Sequence, residues 1–157
     1  MSVEAVLERR KDELGGRSIT NDEARDLQRD ISPSLLPQWL LNLMATYPVI
    51  GARFRLSENQ DQSGLGVDMK WLTPGQMVSE AKEAQPGIAA AVSSYLPIGM
   101  CLQGSGDPYF LQAGSGEDPP VVRIPHQALD GEYRLQEDQV EIVSENLSKF
   151  LSETELG

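Results

Sequence analysis

Hydrophobic and polar residues follow two different rhythms along this chain, one helical and one strand-like. Near the start, apolar residues recur at helical spacing with charges between them, at Val3, Val6, Leu7 and Leu14. This spacing predicts an amphipathic helix, and Gly15-Gly16 ends it because glycine readily adopts the left-handed conformation that closes helices. Thr20-Asn-Asp-Glu23 has the capping-box pattern, which predicts the start of a second, highly charged helix running to about Ile31.

The clearest buried helix is predicted to open at Leu36-Pro37. Proline suits the first helical position, since its missing N–H makes no bond there, and Pro48 marks the end. An apolar stripe runs along this segment, at Leu36, Leu40, Leu43, Met44 and Tyr47. Thr73-Pro74 repeats the same start and predicts a helix that ends at Gln85-Pro-Gly87. Residues 88–94 stay ambiguous, because alanines favour a helix while breakers flank the segment.

Elsewhere the pattern alternates with a period of two, which is typical of strands. Residues 50–56 place Phe54 and its apolar neighbours on one face and Arg53 and Arg55 on the other, and residues 65–72 are predicted to return antiparallel. Between Tyr95 and Gln112, two apolar runs flank Gly104-Ser-Gly-Asp107, a hairpin signal in which Ile98 and Met100 share a face.

The last third of the chain predicts two short strands and a closing helix. Residues 121–124 read as a strand, and residues 133–135 as a weak one. The helix is predicted from apolar residues at i, i+4, i+7 and i+8, namely Val143, Leu147, Phe150 and Leu151. The order of elements predicts an α+β fold with a largely antiparallel sheet. We expect a single domain over residues 20–157 and a helical N-terminal extension over residues 1–19.

The formal charge of −11 is unevenly spread over the 157 residues, since residues 130–157 alone carry −6. Such acidity argues against direct binding of nucleic acid, which requires clustered Lys and Arg, and against docking on an anionic membrane. It favours a basic protein partner, although solubility alone also explains it. The oligomeric state is left open.

The ends and the cysteine content bear on the compartment. The first residues lack the apolar core of a signal peptide. No apolar run approaches the ~20 residues of a membrane span. Cys101 is the single cysteine, so an intramolecular disulfide is impossible. We expect a cytoplasmic protein.

Several short motifs, taken in order, resemble one known family. Leu36-Pro37 opens an apolar helix containing Trp39; Leu96-Pro97-Ile98 precedes Gly104-Ser-Gly-Asp107 and Tyr109-Phe-Leu111; and residues 144–151 end in Phe150-Leu151. Residues 67–72 and 74–84 fit a strand–helix segment between them. Together they resemble the SUKH superfamily, the cell-wall-assembly-regulator-like immunity and scaffold proteins. The match spans about residues 20 to 153.

The resemblance implies an antiparallel sheet with helices on one side and a role in binding other proteins. Bacterial members are commonly immunity proteins that neutralise toxin domains, often nucleases, and eukaryotic members act as interaction hubs. We therefore expect a non-catalytic domain that binds a basic toxin domain through an acidic surface. The alternatives are a small-ligand-binding or enzymatic domain using Asp107 and Tyr109, and a regulatory scaffold without a toxin partner.

The candidate partner-binding residues lie in two places, after the Gly-Ser-Gly turn and in the acidic C-terminal part. The first pair could instead serve the turn, because Asp often caps its own backbone there, and the second group could be a solvated face. The expected contact residues are Asp107, Tyr109, Asp130, Glu132, Glu137, Asp138 and Glu141, with Glu145 beside them.

No catalytic or metal-binding set is visible in the sequence. His126 is the single histidine, in a segment that reads as a loop, and Cys101 reads as a buried, inert thiol. One histidine and one cysteine cannot form a Cys/His zinc site. We expect no enzyme activity, no metal and no cofactor.

Overall fold

The computed structural model describes residues 2–103 and 106–157, and this part of the chain forms one α+β domain. Its helices are α1 (Val3–Leu14), α2 (Asn21–Asp30), α3 (Gln38–Thr46), α4 (Pro74–Lys82), α5 (Gly87–Val92) and α6 (Leu147–Glu153). Its strands are β1 (Arg53–Leu56), β2 (Val67–Trp71), β3 (Tyr95–Cys101), β4 (Tyr109–Gln112), β5 (Val121–Arg123), β6 (Glu141–Ser144) and β7 (Glu155–Leu156). Two 3-10 turns lie at His126–Ala128 and Glu137–Gln139.

All seven strands belong to one sheet with the order β6-β5-β4-β3-β2-β1-β7. Every neighbouring pair is antiparallel. The predicted α+β class and the antiparallel sheet are confirmed. No helix in the described residues is long and apolar enough to cross a membrane.

The helix starts follow the capping signals of the sequence. Thr20 and Thr73 each accept a hydrogen bond from the third residue of their helix, and both complete a capping box. Gly15 closes α1 in the left-handed conformation, at φ 73°. One detail differs: Pro37 is the N-cap of α3, with ψ 150°, and the helix begins at Gln38.

The main core lies between one face of the sheet and helices that include α1, α3 and α6. Phe54, Trp71 and Phe150 meet there, with ring centroids 6.0 Å apart in each pair that includes Phe54. The buried residues of α1, Val3, Val6, Leu7 and Leu14, belong to the same core and are at most 2% exposed. Arg10 joins α1 to α6 by donating from Nη1 to the carbonyls of Leu151 and Thr154, 2.7 Å each.

A second, smaller apolar cluster lies on the other face of the sheet. Because successive strand residues point to opposite faces, Phe110 projects away from the main core that holds Tyr109 and Leu111. α5 and the 3-10 turn at His126–Ala128 cover it. Its buried members are Ala90, Tyr95, Phe110, Val122, Ile124 and Ala128.

A β-bulge in β3 changes which side chains share a face. Pro97 pairs with Phe110, but Gly99 pairs with the adjacent Tyr109, so Ile98 is the extra residue. The alternation therefore reverses after Ile98, and Met100 lies opposite the exposed Lys70. The prediction that Ile98 and Met100 share a face is wrong for this reason.

The C-terminal part differs from the predicted elements. Val143 lies in β6, and α6 starts four residues later, where the Asn146 Oδ1 accepts from the Lys149 N–H at 2.8 Å. The weak strand at 133–135 is reduced to an isolated bridge between Leu129 and Leu135. The arms of the predicted hairpin pair as β3 and β4. Gly104 and Ser105, within its turn, lie outside the described residues.

Candidate partner-binding surface

The acidic segment, residues 130–145, begins in the connection between β5 and β6 and ends at the residue after β6. It contains six acidic residues and one basic residue, Arg134. Its last part, β6, is the terminal strand at one end of the sheet. The carboxylates of this segment fall into two groups: some are held by contacts within the protein, and others face solvent.

Asp130 is one of the held carboxylates, because it organises the turn that follows it. Its Oδ1 accepts from the backbone N–H groups of Glu132, at 2.8 Å, and Arg134, at 3.0 Å. The N–H groups of Arg134 and Glu132 lower the pKa of Asp130, since both bonds favour the charged carboxylate. Asp130 thereby fixes the backbone that presents its neighbours.

Glu137 ties the second 3-10 turn to the sheet. It accepts a hydrogen bond from the Tyr95 hydroxyl at 2.9 Å. Burial, together with the bond to the negatively charged Glu137, raises the pKa of Tyr95 to about 12. The Tyr95 ring itself belongs to the second apolar cluster, so this contact links the acidic segment to packed structure.

Glu141 lies 3.6 Å from the guanidinium of Arg123, which is buried. Arg123 Nη2 donates to the Gly66 carbonyl at 2.7 Å and to the Asp61 carboxylate at 3.3 Å, and Nη1 donates to the Ser63 hydroxyl at 2.7 Å. The loop between β1 and β2 is thereby fastened to β5. Glu141 is the outermost carboxylate of this group, with 34% of its side chain exposed.

Tyr109 does not reach the surface. It is 0% exposed, its hydroxyl accepts from Arg123 Nη2 at 3.2 Å, and the guanidinium lies 5.1 Å from the ring centroid. Burial raises the pKa of Tyr109 to about 12, against the opposing effect of Arg123. Because Tyr109 is buried, the expectation that it contacts a partner is wrong. Its ring instead packs in the main core.

Asp107 lies outside the acidic segment and close to His126. Its side chain is 16% exposed and lies 3.6 Å from Nδ1 of the exposed His126. Burial raises the pKa of Glu80 on α4, and the charge of His126 opposes that rise. Within residues 2–103 and 106–157, no three His, Cys, Asp or Glu side chains are placed to hold a metal ion.

The remaining carboxylates, Glu132, Asp138 and Glu145, are exposed, as is Glu137 despite its bond to Tyr95. Glu132 pairs with the exposed Arg134 at 2.9 Å. Two large apolar side chains of the same segment are also exposed, Tyr133 at 68% and Ile142 at 50%. The sequence pattern predicts neither exposure. In particular, the residues before Val143 read as the approach to a helix, which gives no reason to expect Ile142 at the surface.

Other residues considered in the sequence lie in the core or make contacts within the sheet. Trp71 is buried in the main core and Trp39 lies at its edge. Arg53 is paired with Asp68 through two hydrogen bonds of 2.7 and 2.6 Å on the open part of the sheet. Cys101 is half-buried on β3, paired with Met69 on β2.

Comparison with known proteins gives this chain no relative. No family model matches it, and neither a curated protein nor a solved structure does.

Proposed function

We propose that this chain is a protein-binding domain that acts as an immunity protein, neutralising a toxin effector by covering its basic surface with the acidic segment. The observation that carries the proposal is the composition of that segment's exposed surface. Glu132, Asp138 and Glu145 face solvent, and the same segment exposes Tyr133 and Ile142. A surface with both negative charge and exposed apolar side chains is suited to a protein partner.

The charge fits the class of target. A toxin that cleaves nucleic acid must carry Lys and Arg where it binds phosphates. An acidic inhibitor is attracted to that surface, which accelerates the encounter, and it excludes the substrate while bound. Apolar contacts at the centre of the interface then slow dissociation. The resemblance to the SUKH superfamily supports the same role.

The direct test is binding to the products of neighbouring reading frames. Each is expressed as a tagged protein and used to capture this chain, and each toxic product is co-expressed with it. We expect capture of one basic toxin domain and rescue of growth. Capture without toxicity would assign a scaffold role, and the absence of any captured neighbour would contradict the proposal.

A further inference from the structure

The outer edge of β6 is only partly covered. β6 pairs with β5 on one side. On the other side, the Gln62 N–H donates to the Val143 carbonyl at 3.0 Å. The Val140 N–H donates to the Glu137 carbonyl at 3.3 Å, and in the described residues no backbone bond outside the β5–β6 pairing involves Glu141 or Ile142. An uncovered strand edge is a template for pairing with a further strand.

The partial cover is held in place by buried contacts. Gln62 belongs to the loop between β1 and β2, which Arg123 holds through Asp61, Ser63 and the Gly66 carbonyl. The loop therefore remains over Val143 and does not extend along the strand. The accessible part of the edge is Glu141 and Ile142.

The side chains at this edge suit strand pairing. Ile142 lies opposite Val122 of β5. Val122 is 3% exposed, whereas the Ile142 side chain is 50% exposed and is therefore accessible to a neighbour. Pairs of β-branched side chains across adjacent strands stabilise a sheet. A partner strand would complete such a pair.

We propose that an extended basic segment of a protein partner adds to the sheet as a further strand along Glu141 and Ile142. This inference rests on the proposed function and specifies how the partner is held. The charge of the acidic segment selects the occupant, because six carboxylates stand against one arginine. A second copy of this chain is disfavoured, since two acidic β6 edges would place like charges opposite each other.

The test uses the full chain and two capped peptides of equal charge. One is Lys-Val-Lys-Val-Lys-Val; the other is the same peptide methylated at alternate backbone nitrogens, so that one edge cannot donate hydrogen bonds. We expect the first to bind and to slow hydrogen exchange at Glu141 and Ile142, and the second to bind about tenfold more weakly. Equal binding of both would overturn strand addition while leaving charge attraction intact. Binding of neither would also overturn it.

A pair of substitutions gives an independent sign test. Ile142→Glu adds a carboxylate but removes the apolar partner, and Val92→Glu makes the same charge change on α5, where Val92 is 85% exposed. Strand addition predicts weaker peptide binding for I142E and unchanged or slightly tighter binding for V92E. Tighter binding for I142E would overturn the inference. The proposed function is judged separately, by capture of a neighbouring toxin domain.

Discussion

Arg123 and Asp61 form an ion pair that is withdrawn from solvent. Arg123 Nη2 lies 3.3 Å from Asp61 Oδ2, and the two side chains are 4% and 0% exposed. They are 62 positions apart in the sequence, so their contact fastens the β1–β2 loop to β5. Asp61 Oδ1 also accepts from the N–H and the hydroxyl of Ser63, 2.8 Å each. The pair therefore holds the β1–β2 loop where Gln62 bonds to Val143, and it holds the guanidinium beside the Tyr109 ring.

Asp61→Ala should destabilise the fold strongly. Removing one partner of a buried ion pair costs about 3–5 kcal/mol, and Glu141, 3.6 Å from Arg123, offsets part of the remaining charge. Urea unfolding of the wild type and the variant measures the difference. Adding Arg123→Met removes the orphaned charge, so the double variant should lose less than the sum of the two single losses. Strict additivity would contradict the pairing.

Arg10→Met should loosen the junction between α1 and α6. The guanidinium bonds to the Leu151 and Thr154 carbonyls would be lost, and bonds from charged donors contribute about 1.5–3 kcal/mol each at most. We expect a loss of about 2 kcal/mol in the free energy of unfolding. Arg9→Met is the matched control because Arg9 is exposed, and it should change stability by under about 0.5 kcal/mol. Equal effects would contradict the account.

Two glycines predict opposite responses to alanine. A Cβ on Gly87 would overlap the carbonyl oxygen of Glu80, which is backbone and cannot move aside, whereas Gly75 has nothing within 4 Å. Gly87→Ala should therefore cost about 3 kcal/mol. Gly75→Ala lies in α4 and should add about 0.5–1 kcal/mol, because alanine favours helix. Thermal unfolding of both variants checks the signs.

Alkaline pH should weaken the fold through Tyr95 and Tyr109. Burial contributes most to raising both pKa values to about 12 from 10.0. A raised native pKa stabilises the protein fully below pH 10, and the stabilisation is lost between pH 10 and 12. Unfolding free energy measured across this window should fall, and Tyr95→Phe should reduce the slope. A Tyr95→Phe slope equal to that of the wild type would contradict this account.

Local signals in the sequence predicted much of the fold. The capping boxes at Thr20 and Thr73 are confirmed, as is the antiparallel pairing of β1 with β2 and of β3 with β4. These features depend on residues near one another in the chain. Their physical causes, an orphan N–H or an alternating face, are therefore readable without the tertiary structure.

Features set by distant contacts were not predictable in this way. Val143 and Leu147 are four residues apart, which fits a helix. However, Ile142 and Ser144 pair with β5, which places Val143 in β6, and Asn146 caps the helix that follows. The Asn146 cap was a usable signal for that boundary. The burial of Arg123 had none, because its partner Asp61 lies in a loop far away in sequence. The exposed side chain of Ile142 follows from the position of β6 at the sheet edge.

The measurement closest to the central claim is the affinity for a basic toxin domain before and after neutralising the exposed carboxylates. The test variant combines Glu132→Gln, Asp138→Asn and Glu145→Gln, which leaves the Asp130, Glu137 and Glu141 contacts intact. The control neutralises three exposed acids on other parts of the chain, Glu4, Asp12 and Glu83, with the same change in net charge. Calorimetric titration should show at least about tenfold weaker binding for the test variant alone. Equal weakening by both, or by neither, would contradict a specific acidic docking surface.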